Sequence, residues 1–134
     1  TAAVDFTRLE SLEHLMFTWR RGCKLPRTAP NLESLQITDY KPRSRDLKAL
    51  HATGLRELRL YGGTVQSLDG IQGSTTLRLL HMTDLVQLVD VSALASLDSL
   101  EELWVFNASA LCDLSPVHQG QGLRRLRLLV SQAL

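Results

Sequence analysis

Apolar and polar positions along the chain repeat one frame, a leucine, two variable residues, a leucine, one variable residue and a further apolar residue. It occurs as Leu12-Glu-His-Leu15-Met-Phe17, Leu32-Glu-Ser-Leu35-Gln-Ile37, Leu55-Arg-Glu-Leu58-Arg-Leu60, Leu77-Arg-Leu-Leu80-His-Met82, Leu100-Glu-Glu-Leu103-Trp-Val105 and Leu123-Arg-Arg-Leu126-Arg-Leu128. The first leucines stand 20, 23, 22, 23 and 23 residues apart. One copy would mean little; six in register across nearly the whole chain mark a repeat architecture. Side chains alternate between the faces of a strand, so within each copy the last two apolar residues point one way and the residue between them the other. Each copy therefore predicts one short strand. Such a strand cannot bury its apolar row alone, and neighbouring copies are expected to stack into a parallel sheet whose inner face is a leucine column.

Parallel neighbours need a crossover, and the residues between the strands carry their own apolar spacing to close the core from behind. Leu47 and Leu50 follow the second strand, Val65, Leu68 and Ile71 the third, Leu88, Val91, Leu94 and Leu97 the fourth, and Leu111, Leu114 and Val117 the fifth. Ser44, a capping residue type followed by good helix formers up to His51, predicts a helical turn or two in the second crossover. Gly70, Gly73, Pro116, Gly120 and Gly122 predict shorter turns or 3-10 pieces in the others. The first crossover, residues 20–31 with Gly22, Pro26 and Pro30, reads as the most irregular, and Gly62-Gly63 after the third strand reads as a turn.

These six frames, with Ser67-Leu-Asp-Gly-Ile71 and Asp113-Leu-Ser-Pro-Val117 in the crossovers, resemble the leucine-rich-repeat proteins and are similar to their internalin type, over roughly residues 9 to 130. The resemblance implies an α/β fold: a right-handed solenoid with a parallel concave sheet of about six short strands and irregular, 3-10 or short helical crossovers, used to bind other proteins. One departure stands out. The family places an Asn three residues after the last strand apolar position, whereas this chain has Arg20, Tyr40, Gly63, Leu85, Ala108 and Ser131 there.

Composition supports one domain over residues 1–134, with residues 1–11, including Val4, Phe6 and Leu9, as a short N-terminal cap. Of 134 residues 28 are Leu and only seven are aromatic, so one side-chain shape fills most of the core. The net charge of +1 builds no basic field for nucleic acid or anionic lipid, and no apolar run approaches the length of a membrane span. The start, Thr1-Ala-Ala-Val-Asp5, has no basic region or apolar stretch of a targeting peptide. Cys23 and Cys112 sit four repeats apart, on the order of 19 Å across stacked strands and too far for a bridge, so free thiols and a cytoplasmic location are expected. Asn107-Ala-Ser109 matches a glycosylation acceptor, which has no use in that compartment.

No catalytic or metal constellation converges. His14, His51, His81 and His118 fall in different parts of different repeats, and His81 with Asp84 and Arg59 reads as a binding surface rather than a base with helpers. The expectation is a binding protein without enzyme activity, cofactor or metal. Its outward row should bring together Arg59, Tyr61, His81, Trp104, Phe106, Arg125 and Arg127, rich in the residue types that dominate protein interfaces. Arg56, Arg78, Arg124 and Arg125 form a basic flank with Glu57, Glu101 and Glu102 as counter-charges. The expected partner is another protein, with neither nucleic acid nor membrane, in an inhibitor or immunity-type role; the alternative is a structural segment of a larger receptor or adaptor. The last strand has no capping coil behind it in this sequence, which also opens end-to-end self-association.

Overall fold

The structure is a computed structural model that describes residues 11–21, 31–50, 54–72, 74–119 and 122–129. Residues 1–10 of the predicted N-terminal cap, Cys23 and most of the first crossover, His51, Gly73, Gly120 and Ser131 lie outside the described residues, as does the side chain of His118.

Each of the six frames forms a strand: β1 His14–Thr18, β2 Ser34–Tyr40, β3 Glu57–Gly63, β4 Leu79–Thr83, β5 Glu102–Phe106 and β6 Arg125–Leu129. They pair in sequence order into one parallel six-stranded sheet, the wall of a solenoid. Pairing has no stagger between repeats: Leu15, Leu35, Leu58, Leu80, Leu103 and Leu126 are successive partners, and Phe17, Ile37, Leu60, Met82, Val105 and Leu128 form the next row. In β2 to β5 both inner rows are buried, together with the crossover residues Leu47, Leu68, Ile71, Leu88, Val91, Leu94 and Leu111. At the two ends the same rows are half-exposed, with Leu126 at 45%. Among the described residues β1 and β6 each have a strand neighbour on one side only.

The crossovers carry the expected 3-10 pieces but not the helix that the α/β class implies. Among the described residues their helical content is limited to 3-10 turns, Lys48–Leu50, Ser92–Ser96 and Ser115–Gln119. The helical turns predicted from Ser44 shrink to three residues because Arg45 takes a left-handed φ of 56° and Ser44 Oγ donates to Asp46 Oδ1 at 2.8 Å. The capping role passes to Asp46, whose Oδ1 accepts from the Lys48 N–H at 3.1 Å. Equivalent bonds recur along the back of the coil: Ser67 Oγ takes the Asp69 N–H, Asp90 Oδ1 the Ser92 N–H and Asp113 Oδ1 the Ser115 N–H, at 2.9 to 3.0 Å. Short polar side chains that bond two residues ahead start turns in this way. These bonds hold the carboxyls of Asp90 and Asp113 below the usual range, the Ser92 and Ser115 donors being the main cause.

The chain leaves most strands through a left-handed residue. Asp39, Gly62, Asp84 and Asn107 have φ of 58°, 76°, 61° and 58°, and all occupy the same place in their repeats. Asp, Asn and Gly are the types that tolerate this region. Asn107 Nδ2 donates to Asp84 Oδ1 at 2.7 Å, which ties the turns after β4 and β5 to each other. The next residue, where the leucine-rich repeats that the sequence resembles have Asn, turns inward and is buried as Tyr40, Leu85 and Ala108. At Gly63 (φ 129°) a Cβ would collide with the Tyr40 backbone carbonyl. Gly62 and Gly63 are thus the end of β3 rather than a separate turn.

Two stability measurements follow from this packing. Leu80→Ala, in the sealed middle of the column, is expected to lower unfolding free energy in urea by about 2–5 kcal/mol, and Leu126→Ala by well under half as much. The Tyr40 hydroxyl is buried with no hydrogen-bond partner, and burial together with the nearby Asp46 charge raises its pKa far above 10. Tyr40→Phe removes that unpartnered group, and the melting temperature should rise, by the equivalent of about 1 kcal/mol.

Candidate functional site

The alternation that buries the leucines fixes what looks outward. Across the sheet the register gives three outward rows: His14, Ser34, Glu57, Leu79, Glu102, Arg125; then Met16, Gln36, Arg59, His81, Trp104, Arg127; then Thr18, Thr38, Tyr61, Thr83, Phe106, Leu129. None of these side chains belongs to the buried core, so the predicted phase of Arg59, Tyr61, His81, Trp104, Phe106, Arg125 and Arg127 matches the structure.

Register then decides which of them meet. His81 lies at the centre of an aromatic cluster, with ring centroids 5.2 Å from Tyr61, 5.0 Å from Trp104 and 5.7 Å from Phe106. Trp104 and Phe106, two positions apart on β5, are 6.1 Å apart with tilted planes. The contacts to Tyr61 and Phe106 are edge-on, the arrangement that brings a ring's positive edge to a negative face. The Arg127 guanidinium covers Trp104 at 4.8 Å, a cation-π contact. Arg125 stands apart from this cluster, 71% exposed and paired with Glu102 at 3.5 Å.

Charge on the patch is unevenly compensated. Arg59 is held by Glu57 at 3.2 Å on its own strand. Arg127 has no acidic partner among the described residues, so the aromatic cluster carries one net positive charge at its β6 side. The Trp104 Nε1 hydrogen is out of solvent and unpartnered, which costs on the order of 1–3 kcal/mol.

His81 Nε2 lies 3.1 Å from Thr83 Oγ1, and its Nδ1 makes a long 3.5 Å contact with the Tyr61 hydroxyl. Asp84 takes no part in these bonds, since its Oδ1 accepts from Asn107. Asn107, the glycosylation-pattern residue, is exposed and serves the turn column. Among the described residues no three His, Cys, Asp or Glu side chains are grouped to hold a metal ion, and no helix is long and apolar enough to cross a membrane. Cys112 is exposed and unbridged.

The basic flank lies at the entry end of the strands. Arg56 and Arg78 face Glu33, Glu57, Glu101 and Glu102 around a cleft of about 370 Å³, so opposite charges alternate there. A second cleft, at the exit end of β1 and β2 and lined by Trp19, Arg21, Lys41 and Arg43, is absent from the sequence reading. Its residues come from two loops outside the leucine frame, and the charge clustering around them was the available signal.

No protein-family model matches this chain, and no curated protein matches it significantly.

Burial, and secondarily the positive charge of Arg59, lower the His81 pKa from its ordinary 6.5. A histidine depressed in the folded state binds its proton more tightly when unfolded, so stability is present above pH 6.5 and declines as pH falls from there through the folded pKa. Proton NMR should find the His81 ring titrating below 6.5, and Arg59→Ala should move it upward.

Proposed function

We propose that this chain is a leucine-rich-repeat solenoid, right-handed as nearly all parallel crossovers are, that binds another protein on the concave outward face of its sheet and performs no chemistry of its own. The observation that carries this reading is the cluster of Tyr61, His81, Trp104 and Phe106 on a face that the fold does not need to cover, with Arg127 stacked on the tryptophan. Large, rotamer-poor rings with a polar edge give much contact area for little lost freedom, and together with Arg they account for most hot spots. The unpaired Arg127 selects a partner that brings a carboxylate next to an apolar group. A compact protein with one such patch suits an inhibitor or immunity-type role, masking a toxin or enzyme in the cytoplasm.

The second reading, a structural segment within a larger repeat array or an end-to-end assembly of this chain, has in its favour the half-exposed inner row of β6. The two separate experimentally. With the chain immobilised as bait in its source-cell extract and the captured protein then titrated, Trp104→Ala and Arg127→Ala should each weaken binding by about 2 kcal/mol or more at nearly unchanged thermal stability. Variants that bind as well as the parent, or that lose binding only in proportion to lost folding, would support the structural reading instead.

A further inference from the structure

Charge is segregated along the chain. Residues 19–48 contain eight Lys and Arg against three Asp and Glu, whereas residues 49–123 contain three against eight. Three cations of the basic part, Arg21, Lys41 and Arg43, line with Trp19 a cleft of about 820 Å³ at the exit end of β1 and β2. Among the described residues no acidic side chain lines this cleft, and Arg21, Lys41 and Arg43 have no ion-pair partner. Lys48, Arg59 and Arg125 elsewhere on the molecule do have one. Three cations left facing one space without counter-charge repel each other, a cost that a bound anion removes.

The cleft is held by firm anchors. The Trp19 N–H donates to the Thr38 carbonyl at 2.8 Å, and its half-exposed indole packs edge-on with the wholly buried Tyr40 at 4.9 Å. Lys41 and Arg43 are exposed on either side of the buried Pro42, whose carbonyl accepts from the Arg45 N–H at 3.1 Å. Lys41 and Arg43 therefore project from backbone fixed by a proline ring and a closed turn.

We propose that this cleft binds a nucleoside di- or triphosphate, with the phosphates on Arg21, Lys41 and Arg43 and the base against Trp19. Charge count and shape select this ligand class. A diphosphate ester carries about three negative charges near neutral pH, matching the three cations, whereas one carboxylate carries one. Guanidinium forks suit phosphate oxygens, and an indole is a stacking platform that accepts any planar base. The volume lies within the range of small-molecule sites. This inference is independent of the protein-binding role proposed for β3 to β6.

Isothermal titration of the whole chain with ADP, in low salt with chelator present, tests it. Saturable one-to-one binding is expected, tighter than that of inorganic tripolyphosphate, with Lys41→Ala and Arg43→Ala each weakening ADP by about tenfold. Both side chains are exposed, so these variants should keep the parent melting temperature. Trp19→Leu should abolish the preference for ADP over tripolyphosphate; because Trp19 packs on Tyr40, the comparison of the two ligands on the parent chain serves as the readout that needs no variant. The proposal fails if millimolar ADP gives no saturation, if tripolyphosphate or a glutamate-rich peptide binds as tightly, or if the Lys41 and Arg43 variants bind ADP unchanged.

Discussion

Unstaggered parallel pairing is the constraint from which the rest of this molecule follows. Each residue of one strand is hydrogen-bonded beside the residue of the same repeat position in the next, so a side chain suited to one coil is tested against its own counterpart twice. At inner positions this selects mutually compatible aliphatics, and the buried column Leu35, Leu58, Leu80, Leu103 is the result. Slippage by one residue would turn both inner rows to solvent and outward residues such as Glu57, Arg59 and Arg127 inward, a penalty that compounds across six strands. Variation in repeat length is taken up by the crossovers, which is why steps of 20, 22 and 23 residues coexist with an unbroken register.

The same stacking rule governs polar positions, and there the sequence was harder to read. The strands, their phase and the outward row were legible because apolar alternation reports directly on burial. The turn column was not, since the comparison was with an Asn one place further on, at Tyr40, Gly63, Leu85 and Ala108. The column stands at Asp39, Gly62, Asp84 and Asn107, four residues of the left-handed-tolerant types in one repeat position, a signal present in the sequence but carried by backbone preference instead of hydrophobicity. Moving the polar ladder outward by one residue frees the following position to join the core, and Tyr40 occupies it at the cost of an unpartnered hydroxyl. The helix expected after Ser44 failed for a related reason. Cap chemistry was read correctly in kind, but the side chain that caps is Asp46, and a left-handed Arg45 lies between them.

Outward positions experience none of the packing pressure that shapes the inner rows, so their composition differs freely from strand to strand. On β1 and β2 they are Met16, Gln36, Thr18 and Thr38, and on β3 to β5 they become Arg59, His81, Trp104, Tyr61 and Phe106. Which outward residues exist was readable one by one; that His81 is the ring touching three others was not, because it depends on side-chain direction across adjacent strands. Its position has an electrostatic consequence. A protonated His81 would add a second cation beside Arg59 within a partly dried cluster, and both effects favour the neutral ring. The patch thereby stays apolar at its centre near neutral pH and keeps its uncompensated charge at the periphery, on Arg127.

Segregation of charge separates that patch from the basic cleft at the exit end of β1 and β2. In the cleft, cations accumulate where two loops leave adjacent strands, and the Pro42 turn and the Trp19–Tyr40 contact hold those loop ends against the buried end of the sheet. Around the aromatic patch, the glutamates at the first outward position neutralise Arg59 and Arg125 within their own or the neighbouring strand. A ligand that needs several positive charges is therefore favoured at the cleft over the sheet face, and one that needs a broad apolar contact is favoured at the sheet face over the cleft. Because Tyr40 lies both beneath Trp19 and in the inner column beside Gly63, a change that loosens the exit end of β2 reaches the cleft before it reaches β4 and β5. The two surfaces share a scaffold, yet each is set by residues that the other does not use.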